Sequence, residues 1–469
     1  MKQIKPPTPS PLSLLPGLPP SSLSPLPQMA IKSIIRTLSF IFFFALVNSQ
    51  QYTDPECAGR RIHIRDLPPQ FNLDLLSNCS HYPLSDDFCP YLPNHGLGHK
   101  THNQTRSWFR TDPFMLELIF HRRMLDYPCL TPDPRRADAV FLPYYAGLDS
   151  LRYLYDPNHY NSSFQHGLNL FRFLKHRDSP GIWERNRGHD HFFVASRPAW
   201  DLSQPLTNDP PVWGTSLLEL PEFYNVTVLT FESRAYPWQE VAIPYPTSFH
   251  PPNTALLESW VGRVRRSRRT TLMLFAGGGG VSASPNIRRS IRMECDNGTG
   301  VNGGDGGSYS TLCEFVDCSN GVCEHDPIRF MRPMLQATFC LQPPGDTPTR
   351  RSTFDGILAG CIPVFFEEQS AKKQYRWHLP EEQYGEFSVF IPKEDVVFKG
   401  LRILDALMGI PRGEVRRMRE KVIELIPRVM YRKHGSSLGL RSKKDAFDIA
   451  VEGTLERIKS RLQEVSSVH

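Results

Sequence analysis

Short apolar runs alternate with amphipathic segments along the first half of the chain. RIHIR, ADAVFLPYY, HDHFFVAS and NVTVLTFES are each bounded by polar residues or proline, as buried parallel strands are. After the first of these runs, PFMLELIFHRRMLDYP places Phe114, Leu118 and Ile119 at helical spacing and ends before Pro128. Strands that alternate with helices predict an α/β layer from about residue 55 to 240.

The pattern restarts after a connector, VAIPYPTSFHPPNT, that contains four prolines. RRTTLMLFAGGGG then predicts a strand that ends in glycines, and SPNIRRSIRMEC predicts a helix. FMRPMLQATFCLQPP and AGCIPVFF supply further strands or helices before a run of amphipathic helices. A chain of 469 residues is too long for one ordinary core. We therefore predict α/β domains at 52–240 and 271–400, a linker at 241–270 and C-terminal helices at 401–469.

The N-terminus carries two biased segments. The first thirty residues contain nine prolines and five serines, which favours an extended or disordered tail. Residues 31–51 are mostly apolar, with Lys32 and Arg36 near their start and the first acidic residues after them. This charge asymmetry directs the rest of the chain away from the cytosol. We predict a cytosolic tail at 1–30 and a signal-anchor helix at 31–51, with a cleaved signal peptide as the alternative.

Cysteines and glycosylation motifs agree with a secretory compartment. The ten cysteines are even in number, and the trio Cys313, Cys318 and Cys323 lacks the paired spacing of a zinc site, so we predict disulfides. The formal charge of +6 is small for this length and predicts no nucleic-acid partner. Five Asn-X-Ser/Thr motifs support a luminal location, at Asn78, Asn103, Asn161, Asn225 and Asn297.

The stretch FCLQPPGDTPTRRSTFDGILAGCIPVFF joins two apolar runs through a turn, two arginines and a helix. Phe354, Ile357 and Leu358 share one helical face, and Gly360 suits the left-handed residue that ends a helix. A helix start offers unpaired N–H groups to an anion, and hydroxyls and guanidinium groups add to it. Alternatively, the arginines form surface ion pairs and the serine only caps the helix. We predict a diphosphate site at four residues: Thr349, Arg350, Arg351 and Ser352.

Three further residues are candidates for binding the same nucleotide. Asp355 lies one turn into the helix, where it can reach ribose hydroxyls or act as a cap. Glu367 ends the next strand and faces either the ribose or solvent. Arg288 follows the AGGGG turn and either contacts phosphate or is solvated. The glycines themselves lack the G-x-G-x-x-G register of dinucleotide-binding turns, so they are weak evidence alone.

These motifs resemble the exostosin-type glycosyltransferase family. CLQPPGDTPTRRSTFDGILAGCIPVFF, followed by QYRWHLP and preceded by GHDHFFVASRPAWD and IPYPTSFHP, is most similar to the plant xyloglucan galactosyltransferase branch. The resemblance runs from about Cys57 to the C-terminal helices. It implies a GT-B fold, in which two Rossmann-like domains face a cleft, with the acceptor bound by residues 52–240. It also implies a type II anchor in the Golgi membrane, a luminal catalytic part and association with other wall-polysaccharide transferases.

The implied reaction is inverting transfer of galactose from UDP-galactose to xylosyl side chains of xyloglucan, with no cofactor and no obligatory metal. The sequence has no HExxH motif, and we predict no metal site. Inversion needs a base that takes the proton of the acceptor hydroxyl. Asp190 and His191, just before a predicted strand, are the first candidates, or they form a structural polar turn. Glu232, just after another strand, is the alternative base.

Two other functions remain open at this point. A related transferase would use UDP-linked galacturonic acid, arabinose or xylose, and a catalytically silent, lectin-like Golgi subunit would only bind sugar. The TRRS cluster argues against the second, because a sugar binder needs no diphosphate site. Several aromatic residues of the first half suit either stacking on a glucan or core packing: Trp183, Trp200, Trp213 and Tyr236.

Overall fold

The computed structural model describes residues 55–77, 79–82, 87–101, 106–154, 165–176, 181–206, 213–278, 286–298, 309–318, 323 and 327–467. Residues Glu56–His469 form one compact unit. The tail and signal-anchor expected at 1–51 lie outside the described residues, as do the glycosylation motifs at Asn78, Asn103 and Asn161. In the part of the chain that is described, no helix is long and apolar enough to cross a membrane.

The first sheet is entirely parallel, and its strands follow one another in chain order. Residues of its three central strands are all buried, as expected when both faces of a parallel sheet are covered. Because every pair is parallel, the carboxyl ends of the strands meet at one edge. The strands are β1 (Ile62–Ile64), β2 (Ala139–Phe141), β3 (His191–Pro198), β4 (Thr227–Glu232) and β5 (Glu240–Ala242).

The second sheet is also parallel, but its strand order reverses. Its strands are β6 (Thr271–Gly277), β7 (Thr311–Asp317), β8 (Ala337–Gln342), β9 (Ile362–Phe365) and β10 (Val389–Phe390), in the spatial order β10-β9-β8-β6-β7. The chain passes from β6 to β7 on one side and then returns to place β8 on the other side of β6. Such a reversal opens a crevice beyond the carboxyl ends of β6 and β8, where open α/β sheets bind ligands.

Helices connect and cover the two sheets. Within the described ranges they are α1 (Leu73–Ser77), α2 (Leu116–Met124), α3 (Ala146–Ser150), α4 (Leu168–His176), α5 (Ile182–Asn186), α6 (Thr254–Arg266), α7 (Ile287–Gly298), α8 (Pro327–Gln336), α9 (Arg351–Leu358), α10 (Tyr384–Phe387), α11 (Lys393–Phe398), α12 (Ile403–Met408), α13 (Arg412–Val429), α14 (Leu438–Arg441) and α15 (Ala446–Ser467). The two parallel α/β regions are therefore as predicted, including the helix after the TRRS turn. Gly360 follows α9 with φ at 65°, which only glycine adopts without strain.

The segment predicted as a linker contains regular structure. Val241 and Ala242 belong to β5, where they pair with Leu229 and Thr230 of β4. Thr254–Arg266 forms α6, whose first turn is capped by Asn253 through a bond from the N–H of Leu256 at 3.0 Å. Because prolines dominate the pattern of this segment, the sequence did not predict its strand or its helix. The cysteine-rich segment likewise contains strand β7, which the sequence did not suggest.

The C-terminal helices return to the first sheet. Arg123, on α2, donates to the carboxylate of Asp445 at 2.6 Å, and that carboxylate also accepts the backbone N–H of Arg432 at 2.7 Å. All three residues are buried. Further along α15, Arg461 donates to the carbonyl of Asn225 at 3.0 Å, just before β4. The last helix therefore fastens the end of the chain to its first half.

All ten cysteines are paired, which confirms the prediction of disulfides. The pairs are Cys57–Cys129, Cys79–Cys89, Cys295–Cys313, Cys318–Cys323 and Cys340–Cys361. The last pair joins β8 to the residue before β9. It therefore closes a loop that holds the PPGDTPTRRS turn and α9, a constraint that restricts the unfolded chain.

We expect the double variant Cys340→Ala/Cys361→Ala to lose about 3 kcal/mol of unfolding free energy, because the disulfide closes a loop with a sequence separation of 21. The matched control is Cys318→Ala/Cys323→Ala, whose separation of 5 predicts a smaller loss of about 2 kcal/mol. Guanidinium unfolding of both variants measures the difference. An unchanged midpoint for the Cys340/Cys361 variant would contradict the expectation.

Candidate functional site

A cavity of about 370 Å³ lies at the strand-order reversal of the second sheet. Its walls include Gly277 and Gly278 at the end of β6, Pro343 just after β8, and the first turn of α9. Residues of the first half, among them Trp108 and Pro113, complete it. The cavity therefore occupies the crevice that the topology predicts, between the two halves of one compact unit.

Two arginines meet at the floor of this cavity. A side chain at Gly345 would collide with the guanidinium groups of both Arg288 and Arg350, so the glycine makes room for them. Among the described residues, no carboxylate lies within 4 Å of either guanidinium. Burial, and then the like charge of Arg350, lower the pKa of Arg288. Two positive charges are thus crowded together, and Asp346, which also lines the cavity, attracts both of them from beyond 4 Å.

Neutral acceptors hold both guanidinium groups in place. Arg288 donates from Nε to the carbonyl of Pro344 at 3.0 Å and from Nη1 to that of Gly278 at 3.1 Å. Arg350 donates from Nη1 to the hydroxyl of Thr347 at 3.1 Å, and its buried Nε has no hydrogen-bond partner among the residues that the structure describes. Carbonyls and hydroxyls position the arginines without cancelling their charge.

The neighbouring residues of the predicted diphosphate site have other partners. Arg351 donates to the carbonyl of Thr111 and to the hydroxyl of Ser248, each at 2.8 Å, and its Nε lies 3.4 Å from Asp355. Ser352 does not cap α9; its hydroxyl donates to Gln342 at 2.7 Å. These residues line the cavity as well, yet their polar groups are engaged with the protein.

Glu367 does not line the cavity. It forms an ion pair with Lys393, which accounts for its position after β9 without a ligand. The structure therefore brings Arg288, Arg350, Arg351, Ser352 and Asp355 together at the cavity and leaves Glu367 beside it. A ribose contact by Glu367 stays a prediction, and its carboxylate is near enough to Arg350 to oppose the lowering of the pKa of that arginine by burial.

Glu232 lies at the carboxyl end of β4, and its side chain contacts the second half of the chain. Its carboxylate accepts the backbone N–H of Thr349 at 3.0 Å and also the Thr349 hydroxyl. Tyr245 contacts the same hydroxyl at 2.8 Å. Burial raises the pKa of Glu232, and the hydrogen bonds from Thr349 oppose that shift. The side chain therefore positions the turn before Arg350 and is already engaged as an acceptor.

Asp190 and His191 lie at the other edge of the first sheet. They stand at the start of β3, whereas the cavity lies beyond the carboxyl ends of the strands. The Asp190 carboxylate accepts bonds from Asn186 at 2.6 Å and from Arg185, and it pairs with the His191 ring at 2.7 Å. Both residues are fully buried. These contacts fit the alternative prediction, in which the two residues form a structural polar turn. Neither residue lines the cavity.

The arrangement is suited to an anion with two negative groups. The start of α9 supplies unpaired backbone N–H groups and a partial positive charge, and the two arginines supply guanidinium forks at the same place. The residues present therefore fit a diphosphate, which has matching charge and acceptors.

Comparison with known proteins shows the family of the chain. The family model described as the Exostosin GT47 domain matches residues 56–407. An Arabidopsis thaliana protein named Probable xyloglucan galactosyltransferase GT19 is 67% identical over 442 residues, which cover 92% of this chain and 100% of that protein.

Two further relatives from Arabidopsis thaliana carry different activities in their names. Xyloglucan galactosyltransferase MUR3 is 37% identical over 468 residues, which cover 97% of this chain and 72% of that protein. Xyloglucan-specific galacturonosyltransferase 1 is 35% identical over 405 residues, covering 86% of this chain and 58% of that protein. The relatives thus share xyloglucan in their names and differ in the sugar.

Sequence patterns missed the residues that the first half contributes. Tyr245 and Thr349 are 104 positions apart, and Trp108 and Pro113 reach the cavity from a loop of the first half. The sequence does show a dense run of prolines and aromatic residues around Tyr245. That run indicated a connector between domains and did not indicate a binding site.

We expect Gly345→Ala to weaken UDP binding about tenfold or more, because the added methyl group displaces both guanidinium groups, and a hydrogen bond to a charged group contributes about 1.5–3 kcal/mol. Calorimetric titration with UDP measures the loss. The matched control is Gly385→Ala, whose methyl group would meet nothing within 4 Å. Equal UDP affinity in the two variants would rule out the arginine pair as the anion site.

Proposed function

Because the chain belongs to the exostosin GT47 family and is a glycosyltransferase, we propose that it transfers galactose from UDP-galactose to xylosyl side chains of xyloglucan with inversion. The observation that carries the proposal is the pair Arg288 and Arg350, which converge at the strand-order reversal with no carboxylate within 4 Å among the described residues. The names of the two relatives most relevant here, which specify xyloglucan and galactose, support the substrates.

The charge of the site explains how it would assist the reaction. As the bond from galactose to the diphosphate breaks, negative charge grows on the leaving oxygens. Guanidinium groups already held in place stabilise that charge without reorganising. Arg350 is next to the start of α9, so the helix dipole acts in the same direction. The role of the second half is thus to bind the donor and stabilise UDP as it leaves.

The proposal includes a GT-B arrangement, in which the two sheet regions face a cleft and the first one binds the acceptor. It also includes a type II anchor in the Golgi membrane, with the catalytic part in the lumen and other wall-polysaccharide transferases nearby. Five disulfides support an oxidising compartment. No cofactor or metal enters the proposed reaction.

A panel of UDP-sugars tests the donor. Purified residues 52–469 should release UDP from UDP-galactose and attach galactose to xyloglucan oligosaccharides, as measured by mass spectrometry. UDP-galacturonic acid is the comparison that matters most, because one relative is named a galacturonosyltransferase. Preferred use of that donor would replace galactose in the proposal, whereas no turnover of any UDP-sugar would reject it.

Arg350→Ala should lower kcat about 30- to 1,000-fold, since removal of one preorganised donor costs about 2–4 kcal/mol in the transition state. Arg350→Lys should restore only part of the rate, because an ammonium group keeps the charge but not the planar fork. The comparison is Arg351→Ala, which releases Thr111 and Ser248 and should chiefly lower thermal stability. Transfer at the parent rate in a folded Arg350→Ala protein would reject the assignment.

A further inference from the structure

Aromatic residues cluster beyond the carboxyl end of β3. Trp200 lies two residues after that strand, in a short 3₁₀ helix, Ala199–Leu202. Its ring stacks on that of Trp213 with centroids 6.0 Å apart and an angle of 26° between the planes. Trp200 remains 37% exposed. The stacked indoles therefore present apolar surface to water.

Buried hydrogen bonds hold this pair rigidly. The indole N–H of Trp213 donates to Asp201 Oδ1 at 2.6 Å, and the other oxygen of that carboxylate lies 2.9 Å from Nε of Arg197. The backbone carbonyl of Asp201 accepts the N–H of Thr215 at 2.7 Å. Asp201 is 2% exposed. A preorganised surface of this kind binds a ligand without the cost of ordering its side chains.

The aromatic surface continues toward the cavity. The guanidinium of Arg197 lies over the ring of Phe114, 4.8 Å from its centroid, and Phe114 is 38% exposed. The preceding residue, Pro113, lines the cavity. The tryptophan pair is therefore linked through Asp201 and Arg197 to Phe114, whose preceding residue lines the donor cavity.

The chemistry of this edge favours a neutral polyhydroxylated ligand. The faces of pyranose rings carry C–H groups that stack on indole rings, and tryptophan presents such a face at little entropic cost. The charges of Arg197 and Asp201 cancel within a buried pair, so the surface offers no net charge to an acidic chain. A linear neutral glucan can thus lie on the aromatic surface while one of its substituents enters the cavity.

Building on the proposed function, we propose that Trp200, Trp213 and Phe114 form the acceptor platform, which binds the pyranose backbone of a neutral β-glucan. Asp201 is a positioning residue that fixes the ring of Trp213 and the guanidinium of Arg197. The platform aligns the polysaccharide so that a side-chain sugar faces the donor.

The test separates acceptor binding from donor chemistry. Electrophoresis in native gels that contain xyloglucan measures the affinity of the whole protein for polysaccharide, and UDP calorimetry measures the donor site. Trp200→Ala and Trp213→Ala should each weaken retardation about tenfold or more and raise the acceptor KM by a similar factor, with UDP binding unchanged. Trp200→Tyr keeps an aromatic face and should stay within about threefold of the parent protein.

The matched control is Trp238→Ala. Trp238 is 63% exposed but lies before β5, at the opposite edge of the same sheet, where its indole N–H donates to the carbonyl of Tyr224. It should leave retardation and KM unchanged. Equal losses in Trp238→Ala and Trp200→Ala, or parent-like retardation of a folded Trp200→Ala protein, would overturn the platform.

Three other outcomes also test the proposed platform. Retardation by polygalacturonate as strong as by xyloglucan would overturn the choice of a neutral ligand. A change of oligomeric state in Trp200→Ala, seen by sedimentation with retardation intact, would assign the surface to a second copy of the chain and overturn the platform. If no UDP-sugar is turned over, the proposed function fails, yet retardation that depends on Trp200 would still support the platform.

Discussion

The contact between Glu232 and Thr349 constrains the rest of the site. A carboxylate at the end of β4 accepts both the backbone N–H and the hydroxyl of Thr349, the residue immediately before Arg350. Burial of that carboxylate is costly unless its oxygens are satisfied, so the two donors of Thr349 are required for the fold as much as for the site. One buried contact thereby sets the position of the first sheet edge relative to the anion-binding turn.

Other buried links reinforce this constraint from both sides. Arg351 reaches the carbonyl of Thr111 and the hydroxyl of Ser248, while Arg123 reaches Asp445 near the start of α15. Burial disfavours ionisation of Asp445, but the charges of Arg123 and Arg432 outweigh it and lower the pKa to about 2. Because removal of one partner would leave an uncompensated buried charge, such links hold a single arrangement of the chain.

The sequence predicted what is local and failed where distant residues meet. One continuous stretch of sequence contains the turn before α9, the helix itself and Gly360. Its capping and charge patterns could therefore be recognised from the sequence. Asp190 and Glu232 had similar local patterns, each polar and each beside apolar strand residues, yet Asp190 precedes its strand and Glu232 is the last residue of its strand. In a parallel sheet that difference decides which edge a residue occupies, and only Glu232 is at the edge with the cavity. The sequence did not show that Thr349, 117 positions away, donates to the Glu232 carboxylate, and the role of Glu232 as base stays a prediction.

Arginines have two roles in this protein, and the two roles differ in the partners of the guanidinium group. Arg197, Arg234 and Arg351 each pair with a carboxylate four or six positions along the chain, which balances their charge. Arg288 and Arg350 instead donate to carbonyls and a hydroxyl, and among the described residues they have no carboxylate within 4 Å, although Asp346 acts on both charges from farther away. Like charges this close repel each other, and an anion bound between them relieves that repulsion. The repulsion between the two arginines thus favours binding of a ligand with two negative groups at the point where the strand order reverses.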